Sequence, residues 1–286
     1  MRNWLQDEYV VLTGASGGIG KELCKLLVQK YGAKVIGVGR NEEKMGALMA
    51  ELGDDVSRFS CRFFDVSDLA EWQAFAKELQ EKGIAPRLLI NNAGAFPTFC
   101  KTLRTPLETF EKIMRINYLS ITYAVSALSP ILSASTACKR NGKPKDLPAI
   151  VNVSSCAALC SVVGTSAYSA SKAAVKGYTE ALQMEEKGKK YVGIVYPGTT
   201  ATDLFSGDEN TKNSALDVIA MPAPKMARKI ARRILKKRKR SVVGWDAKCM
   251  TGAARWMPVW GLSLIAWVMK ISKSKVFTNV FDRKEK

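Results

Sequence analysis

The chain has 286 residues, 47% of them hydrophobic, and a net charge of +18 with no histidine. That length and apolar content supply a large core and exclude a disordered chain. Seven cysteines without a CxxC pair, and no imidazole, argue against a zinc site or a disulfide framework. Taken in order, YVVLTGA (9–15) reads as a buried strand and GIGKELCKLLVQKYG (18–32) as a helix. AKVIGVGR (33–40) is a second strand, followed by a helix over 41–52. SRFSCRFFDV (57–66) and RLLINNAG (87–94) are strands separated by the helix DLAEWQAFAKELQEKG. A helical pattern covers 107–136. AIVNVSS (149–155), KYVGIVYPG (190–198) and SVVGW (241–245) complete seven strands, and a helix over 165–186 lies between the first two of these. Strands alternating with helices imply right-handed crossovers. The expected class is α/β, a doubly wound parallel sheet with helices on both faces. The polar stretch STACKRNGKPKDLP (135–148) reads as a surface loop.

The cysteines fit reduced thiols in the cytoplasm, with Cys156 and Cys160 as small buried side chains rather than a redox pair. The N-terminal segment is charged and runs straight into a strand, so no secretory leader is expected there. Charge is uneven. Residues 221–286 hold 18 Lys and Arg against 3 Asp and Glu, leaving +15, and the rest of the chain only about +3. Such asymmetry bears on partners more than on fold.

Thr13-Gly14-Ala15-Ser16-Gly17-Gly18-Ile19-Gly20 joins the first strand to the first helix. A pyrophosphate can meet bare backbone N–H groups and the positive end of a helix dipole there, and a Cβ would block its approach. The spacing is GxxxGxG rather than GxGxxG. The second strand ends at Gly39-Arg40 with no acid to hold a ribose 2′-hydroxyl. Arg40 offers a fork for a 2′-phosphate, so NADP(H) is favoured over NAD(H).

Tyr168 and Lys172 lie one helical turn apart on one face. A lysine cation beside a phenol stabilises the phenolate and lowers the tyrosine pKa, which supplies an acid/base without histidine. Around this pair the chain resembles the short-chain dehydrogenase/reductase family. The resemblance is carried by TGASGGIG, the DV at 65–66, NNAG at 91–94, Asn117 in RINYLS, VNVSS, YSASK and PGTTAT at 197–202, in the family's order over roughly 8–245. It implies a Rossmann-type catalytic domain over 1–245, a C-terminal extension over 246–286, and an oxidoreductase interconverting an alcohol and a ketone. Tyr168 would exchange a proton with the substrate oxygen. Ser155 would hydrogen-bond that oxygen, since Ser154 should point to the other face of its strand. Lys172 would hold the nicotinamide ribose and Asn117 a water in a proton relay. Thr13, Gly14, Ser16, Gly17, Gly18, Ile19 and Gly20 would receive the pyrophosphate. Asp65 and Val66 would border the adenine, Asn92, Ala93 and Gly94 the cofactor's other side, and Pro197, Gly198 and Thr202 the nicotinamide.

Substrate-determining positions are expected over 200–220 and at Phe96, Cys156, Ala157 and Tyr196. They are largely apolar, which points to a lipid-like or steroid-like ketone. The run KMARKIARRILKKRKR (225–240) holds ten Lys and Arg. It also carries an apolar stripe of Met226, Ala227, Ile230, Ala231, Ile234 and Leu235. A docked helix with a solvated basic face explains both, and nucleic acid is not the expected partner. A scaffold module and a ketoreductase for acyl groups on an acidic carrier protein are the rival readings. RWMPVWGLSLIAWVMK (255–270) has 14 uncharged residues between its end charges, too few to span a bilayer. Its tryptophans and basic flanks suit a membrane surface over 255–275, or else a contact within a homo-oligomer.

Overall fold

The computed structural model describes residues 3–133, 139–140, 143–144, 147–202, 204, 219–272 and 277–281. Its centre is a sheet of β1 (Tyr9–Thr13), β2 (Lys34–Gly39), β3 (Phe59–Phe63), β4 (Leu88–Asn91), β5 (Ala149–Val153), β6 (Tyr191–Pro197) and β7 (Arg240–Val243). All neighbours are parallel, in the order β3-β2-β1-β4-β5-β6-β7. The winding reverses between β1 and β4, and a crevice opens there at the carboxyl ends of the strands. Helices fill the crossovers: α1 (Gly18–Lys25), α2 (Glu42–Leu52), α3 (Leu69–Glu81), α4 (Leu107–Met114), α5 (Ser120–Leu128), α6 (Ser166–Glu185) and α7 (Ala223–Leu235).

Period-two alternation along the strands divides the core into two layers. Val10 and Leu12 join Leu23, Met45, Leu48, Met226 and Ile230 on the face covered by α1, α2 and α7. Val11 points the other way, to Trp72, Phe75, Ile121 and Val175 of α3, α5 and α6. The apolar stripe of the basic segment is therefore core: Met226, Ala227, Ile230, Ala231 and Ile234 are buried while Lys225, Arg228, Lys229, Arg232 and Arg233 face outward.

Three expected helices change shape. The pattern over 18–32 becomes α1 followed by a π turn, Leu26–Lys30. That over 107–136 splits into α4 and α5 around a second π turn, Arg115–Leu119, and α5 ends at Leu128, two residues before Pro130, which has no N–H for a helical bond. The basic helix stops at Leu235, because Lys237 turns left-handed (φ 49°) and the chain enters β7. Most of the expected loop 135–148 lies outside the described residues, though Lys139–Arg140 and Lys143–Pro144 pair as a short antiparallel ladder.

Beyond β7 come α8 (Trp245–Trp256), α9 (Trp260–Ile271) and α10 (Thr278–Phe281). The first two cross closely: a Cβ on Gly261 would lie 2.5 Å from the Ala253 carbonyl. The chain's last described turn docks through Phe277, whose ring meets Phe99 edge-on at 5.3 Å. Among the described residues no helix is long and apolar enough to cross a membrane.

Candidate active site

The register places Thr13, Asn91, Val153, Pro197 and Val243 along one edge of the sheet. The glycine loop starts there. The Thr13 hydroxyl accepts the N–H groups of Asn92 and Ala93, both at 2.9 Å, and the Asn92 amide donates to the Thr13 carbonyl at 3.1 Å. Loop and β4 are thus laced together. A Cβ on Gly20 would overlap the Gly14 carbonyl, whereas one on Gly17 would meet nothing within 4 Å. Gly20 is required by packing, and Gly17 faces open space at the start of α1, whose first turn has no side-chain cap. That is the arrangement a pyrophosphate needs.

Further out, Gly39 is closely packed: a Cβ there would lie 2.9 Å from the Met45 methyl and 3.4 Å from the Ser16 hydroxyl. Arg40 is paired with Asp65 at 2.9 Å, both exposed, and Asp65 also accepts the Ser67 hydroxyl at 2.7 Å. The carbonyl of Val66 accepts the Trp72 indole N–H at 2.9 Å. An exposed ion pair contributes about 0–1 kcal/mol, so a phosphate arriving at Arg40 displaces little.

The residues expected to transfer the proton converge from three elements. Tyr168 and Lys172 sit in the first turns of α6 with their side chains turned into the molecule, both buried. The Ser155 hydroxyl, just past β5, accepts the Ala157 N–H at 3.2 Å and lines the same cavity as Tyr168. Ser154 points away as expected, donating to the Lys172 carbonyl at 2.9 Å and pinning α6 to the sheet. Lys172 Nζ donates to the Val153 carbonyl at 3.2 Å. Asn117 sits in the π turn between α4 and α5. Its Oδ1 accepts the Ala95 N–H at 2.7 Å, and its amide donates to the Ala95 carbonyl at 2.9 Å and to Ser171 at 3.0 Å. Gly94 separates Asn117 from Lys172: a Cβ there would lie 3.2 Å from Asn117 Oδ1 and 3.1 Å from Lys172 Nζ.

Burial pushes the Tyr168 phenol up to about 12, with the Ser155 hydroxyl working the other way. It pulls Lys172 down to about 8. The expected lowering of the tyrosine by the lysine is therefore outweighed in the protein alone. Withdrawal of the buried phenol from water is the largest influence on it. At neutral pH the pair is a protonated phenol beside a charged ammonium.

A family model described as short chain dehydrogenase matches residues 8–213. The chain belongs to the short chain dehydrogenase family. It is 35% identical to a 3-ketodihydrosphingosine reductase of Bos taurus over 214 residues, 73% of this chain and 61% of that protein. It is 28% identical to the 3-oxoacyl-[acyl-carrier-protein] reductase FabG of Vibrio harveyi over 212 residues, 74% of this chain and 81% of that one. A solved short chain dehydrogenase from Shigella flexneri 2a, complexed with NADP, superposes with a TM-score of 0.73 at 23% identity, covering 87% of this chain and all of the other.

In this member of the family a cavity of about 550 Å³ opens at Tyr168 and Ser155. Lys172, Ile19, Asn92, Gly94, Pro197, Gly198 and Thr202 share its wall, so the positions expected for nicotinamide and for proton transfer meet in one space. Arg40, Asp65 and Val66 lie outside it, beyond the ends of β2 and β3, and Asn117 is buried behind Gly94. Of the expected substrate positions, Phe96, Cys156 and Ala157 line the cavity, as do Thr200, Leu204 and Ile219 from the 200–220 stretch; residues 205–218 lie outside the described residues. Tyr196 does not. It is buried in the layer under α6, with the Arg240 guanidinium 5.4 Å from its ring centre. Its place in β6 decides this: neighbours on a strand alternate faces, and Tyr196 takes the inner one.

The cavity's outer wall was not legible in the residue pattern. Trp245, Met250 and Ala253 of α8, Leu264, Ile265, Val268 and Met269 of α9, and Phe277 form it. Their apolar pattern is legible, but which surface it covers depends on a helix crossing that only the folded chain defines. A line of rings runs from Tyr168 through Phe96 (5.1 Å) and Phe99 (4.8 Å) to Phe277 (5.3 Å), tying the C-terminal segment to the catalytic tyrosine candidate. The six described cysteines are free thiols, with Cys156 and Cys160 buried.

Proposed function

We propose that this protein is an NADPH-dependent reductase of a long-chain, lipid-like ketone, of the kind named by its 3-ketodihydrosphingosine reductase relatives. The observation that carries the reading is the cavity itself: a predominantly apolar space, walled by the C-terminal helices, that ends on Tyr168 and Ser155. Apolar walls with a few convergent polar groups suit a ligand that is mostly hydrocarbon with one reacting carbonyl.

NADPH, when bound, supplies the hydride that goes to the carbonyl carbon. The Tyr168 phenol donates its proton to the carbonyl oxygen, and the product is the secondary alcohol. Ser155 hydrogen-bonds the same oxygen and stabilises the charge that develops there. Lys172 holds a positive charge beside the phenolate left behind, and its own position is set by the Val153 carbonyl. Asn117 clamps the loop after β4 through both atoms of its amide, which keeps Gly94 against Lys172.

Absorbance decay of NADPH tests the reading with ketones of increasing chain length in mixed micelles, 3-ketodihydrosphingosine among them. We expect kcat/KM to rise with each added methylene by up to about fourfold, the equivalent of about 0.8 kcal/mol. A rate flat from short to long chains would overturn it. The carrier-protein reading draws on the exposed basic face of α7. It predicts instead a large preference for a carrier-linked 3-ketoacyl group over the same group free.

Cofactor choice has its own test. Arg40→Asp places a second acid beside Asp65 and removes the cation from the 2′-phosphate position, so repulsion adds to lost attraction. We expect kcat/KM for NADPH to fall about 10- to 100-fold, the worth of a charge-assisted contact of about 1.5–3 kcal/mol, with a smaller change for NADH. Equal losses for both cofactors would place Arg40 away from the ribose.

A further inference from the structure

The cavity's outer wall is closed at one end and open at another. It closes where Phe99, Phe277 and Val280 are buried together, with Phe96 and Met269 packed on them. It opens between α8 and α9. The two helices touch beside the turn that joins them, at Ala253 and Gly261. Away from that crossing α8 presents Trp245 and Cys249 to the cavity, and α9 presents Leu264 and Val268, with Ser272 at its cap. Each set is spaced by four residues, so each is one stripe along one helical face. All five residues line the cavity and all five are exposed, Trp245 by 60%, Leu264 by 52% and Val268 by 49%. A side chain that meets both the cavity and the solvent stands where the two join. The five therefore form a rim, and none of them is among the positions expected to hold the cofactor. Gly244 puts the rim in place: at φ 123° it turns the chain out of β7, and Trp245 follows at once.

The rim carries no charge. Among the described residues lining the cavity only Lys172 and Asp246 are charged, and both are buried. Lys172 belongs with Tyr168. Asp246 Oδ2 accepts the Thr199 N–H at 2.6 Å, which ties α8 to the loop after β6. Three large apolar side chains held half in water at an opening are a surface that hydrocarbon would cover. We propose that the gap between α8 and α9 is the passage for the hydrocarbon chain of the substrate, separate from the route of the cofactor. The chain lies across Trp245, Leu264 and Val268 when the carbonyl rests at Tyr168, so these three select for it. Both helices lie beyond residues 8–213, the span that the family model matches. The proposal rests on the reading of the protein as a long-chain ketone reductase.

Cys249 gives the test its handle, an exposed thiol on the rim, whereas Cys24, Cys156 and Cys160 are buried. The full chain is treated with fluorescein maleimide and the label is located by peptide mass mapping. NADPH oxidation is then followed with a long-chain 3-ketone in mixed micelles and with a short water-soluble 3-ketone. Labelling at Cys249 is expected to lower kcat/KM about 15-fold or more for the long ketone, the equivalent of two methylenes left unburied, and less than about twofold for the short one. NADPH affinity, read by calorimetry, should not change. The long ketone together with NADP should also slow the labelling of Cys249, which NADP alone should not. Equal losses for the two ketones would overturn the proposal, because the label would then disturb the reacting end. So would weakened NADPH binding, which would make the rim the cofactor's entrance. A Cys249 that does not react would overturn it too, since the rim would then be closed to water. Treated Cys249→Ser protein, measured against its own untreated sample, is expected to be insensitive to the reagent. An equal loss there would move the effect to another thiol and overturn the assignment. Should the short ketone be too poor a substrate to compare, protection decides alone: labelling unslowed by the long ketone overturns the passage. Failure of the reductase reading itself is distinct, because the unlabelled protein would then reduce neither ketone.

Discussion

Tyr168→Phe is expected to lower kcat for ketone reduction about 100- to 10,000-fold, the usual worth of a positioned proton donor, or about 3 to 5 kcal/mol of barrier. NADPH binding should stay nearly unchanged. The ring is held by burial and by Phe96 at 5.1 Å, and Phe fills the same space. What disappears is the hydroxyl that would carry the proton. Retention of more than a third of kcat, with NADPH binding confirmed by fluorescence, would remove Tyr168 from the reaction. The pH profile carries a second signature. With the phenol raised to about 12 by burial, the donor for reduction is protonated throughout the accessible range. Lys172, lowered to about 8, loses its charge as pH rises through that value. Reduction is therefore expected to be flat below pH 8 and to decline above it. Oxidation of the alcohol, which needs the phenolate, should climb as pH rises toward 8. A reduction rate that rises through pH 8 would contradict this assignment of charges.

The sheet was legible in the sequence because each strand is a short apolar run bounded by a glycine, a proline or a polar turn, and each helix carries a stripe of matching period. The glycine loop and the Tyr168–Lys172 pair were legible because their chemistry depends on local spacing. Asn117 was recognisable by resemblance, but its π turn was not. That turn shifts the register of a helix by one residue without altering its apolar stripe, and such bulges gather at functional sites. Asp246 was hidden for another reason. An acid in the first turn of a helix reads as favourable placement against the helix dipole. Its unusual burial depends on Gly198, nearly fifty residues earlier in the chain, and on Thr199 beside it. The pairing of Arg40 with Asp65 is of the same kind, a contact between the ends of adjacent parallel strands that no window of sequence contains.

Replacing Trp256, Trp260 and Trp267 together by Ser is expected to lower partition onto anionic vesicles by about 100-fold. These rings stand 82%, 81% and 57% exposed, with Val259 and Ile271 beside them, an unusual outlay of apolar surface toward water. α9 is apolar on every side. Gly261 packs on α8, Ile265 and Met269 wall the cavity, and Trp260, Trp267 and Ile271 face outward. Leu264 and Val268 do both, half exposed and lining the cavity, so the outer apolar face runs continuously into the space that ends at Tyr168. We propose a lipid surface as the occupant of this face, which would cover the rings and supply a hydrocarbon substrate by the same route. Exposed Arg255 and Lys270 flank the tryptophan-bearing stretch, and basic groups near an anionic leaflet contribute roughly 1 kcal/mol each. Each indole entering the headgroup layer contributes about 1 kcal/mol for roughly 40 Å² removed from water. Three together give about 3 kcal/mol, hence the hundredfold. Flotation with phosphatidylserine-containing vesicles at low and high salt reads both parts. Salt should weaken the wild type's binding, and the triple variant should stay low in the gradient even without salt while melting at the wild-type temperature. Should the wild type itself remain at the bottom at both salt concentrations, the rings belong against a second copy of the chain. Sedimentation would then find a dimer that the triple variant breaks.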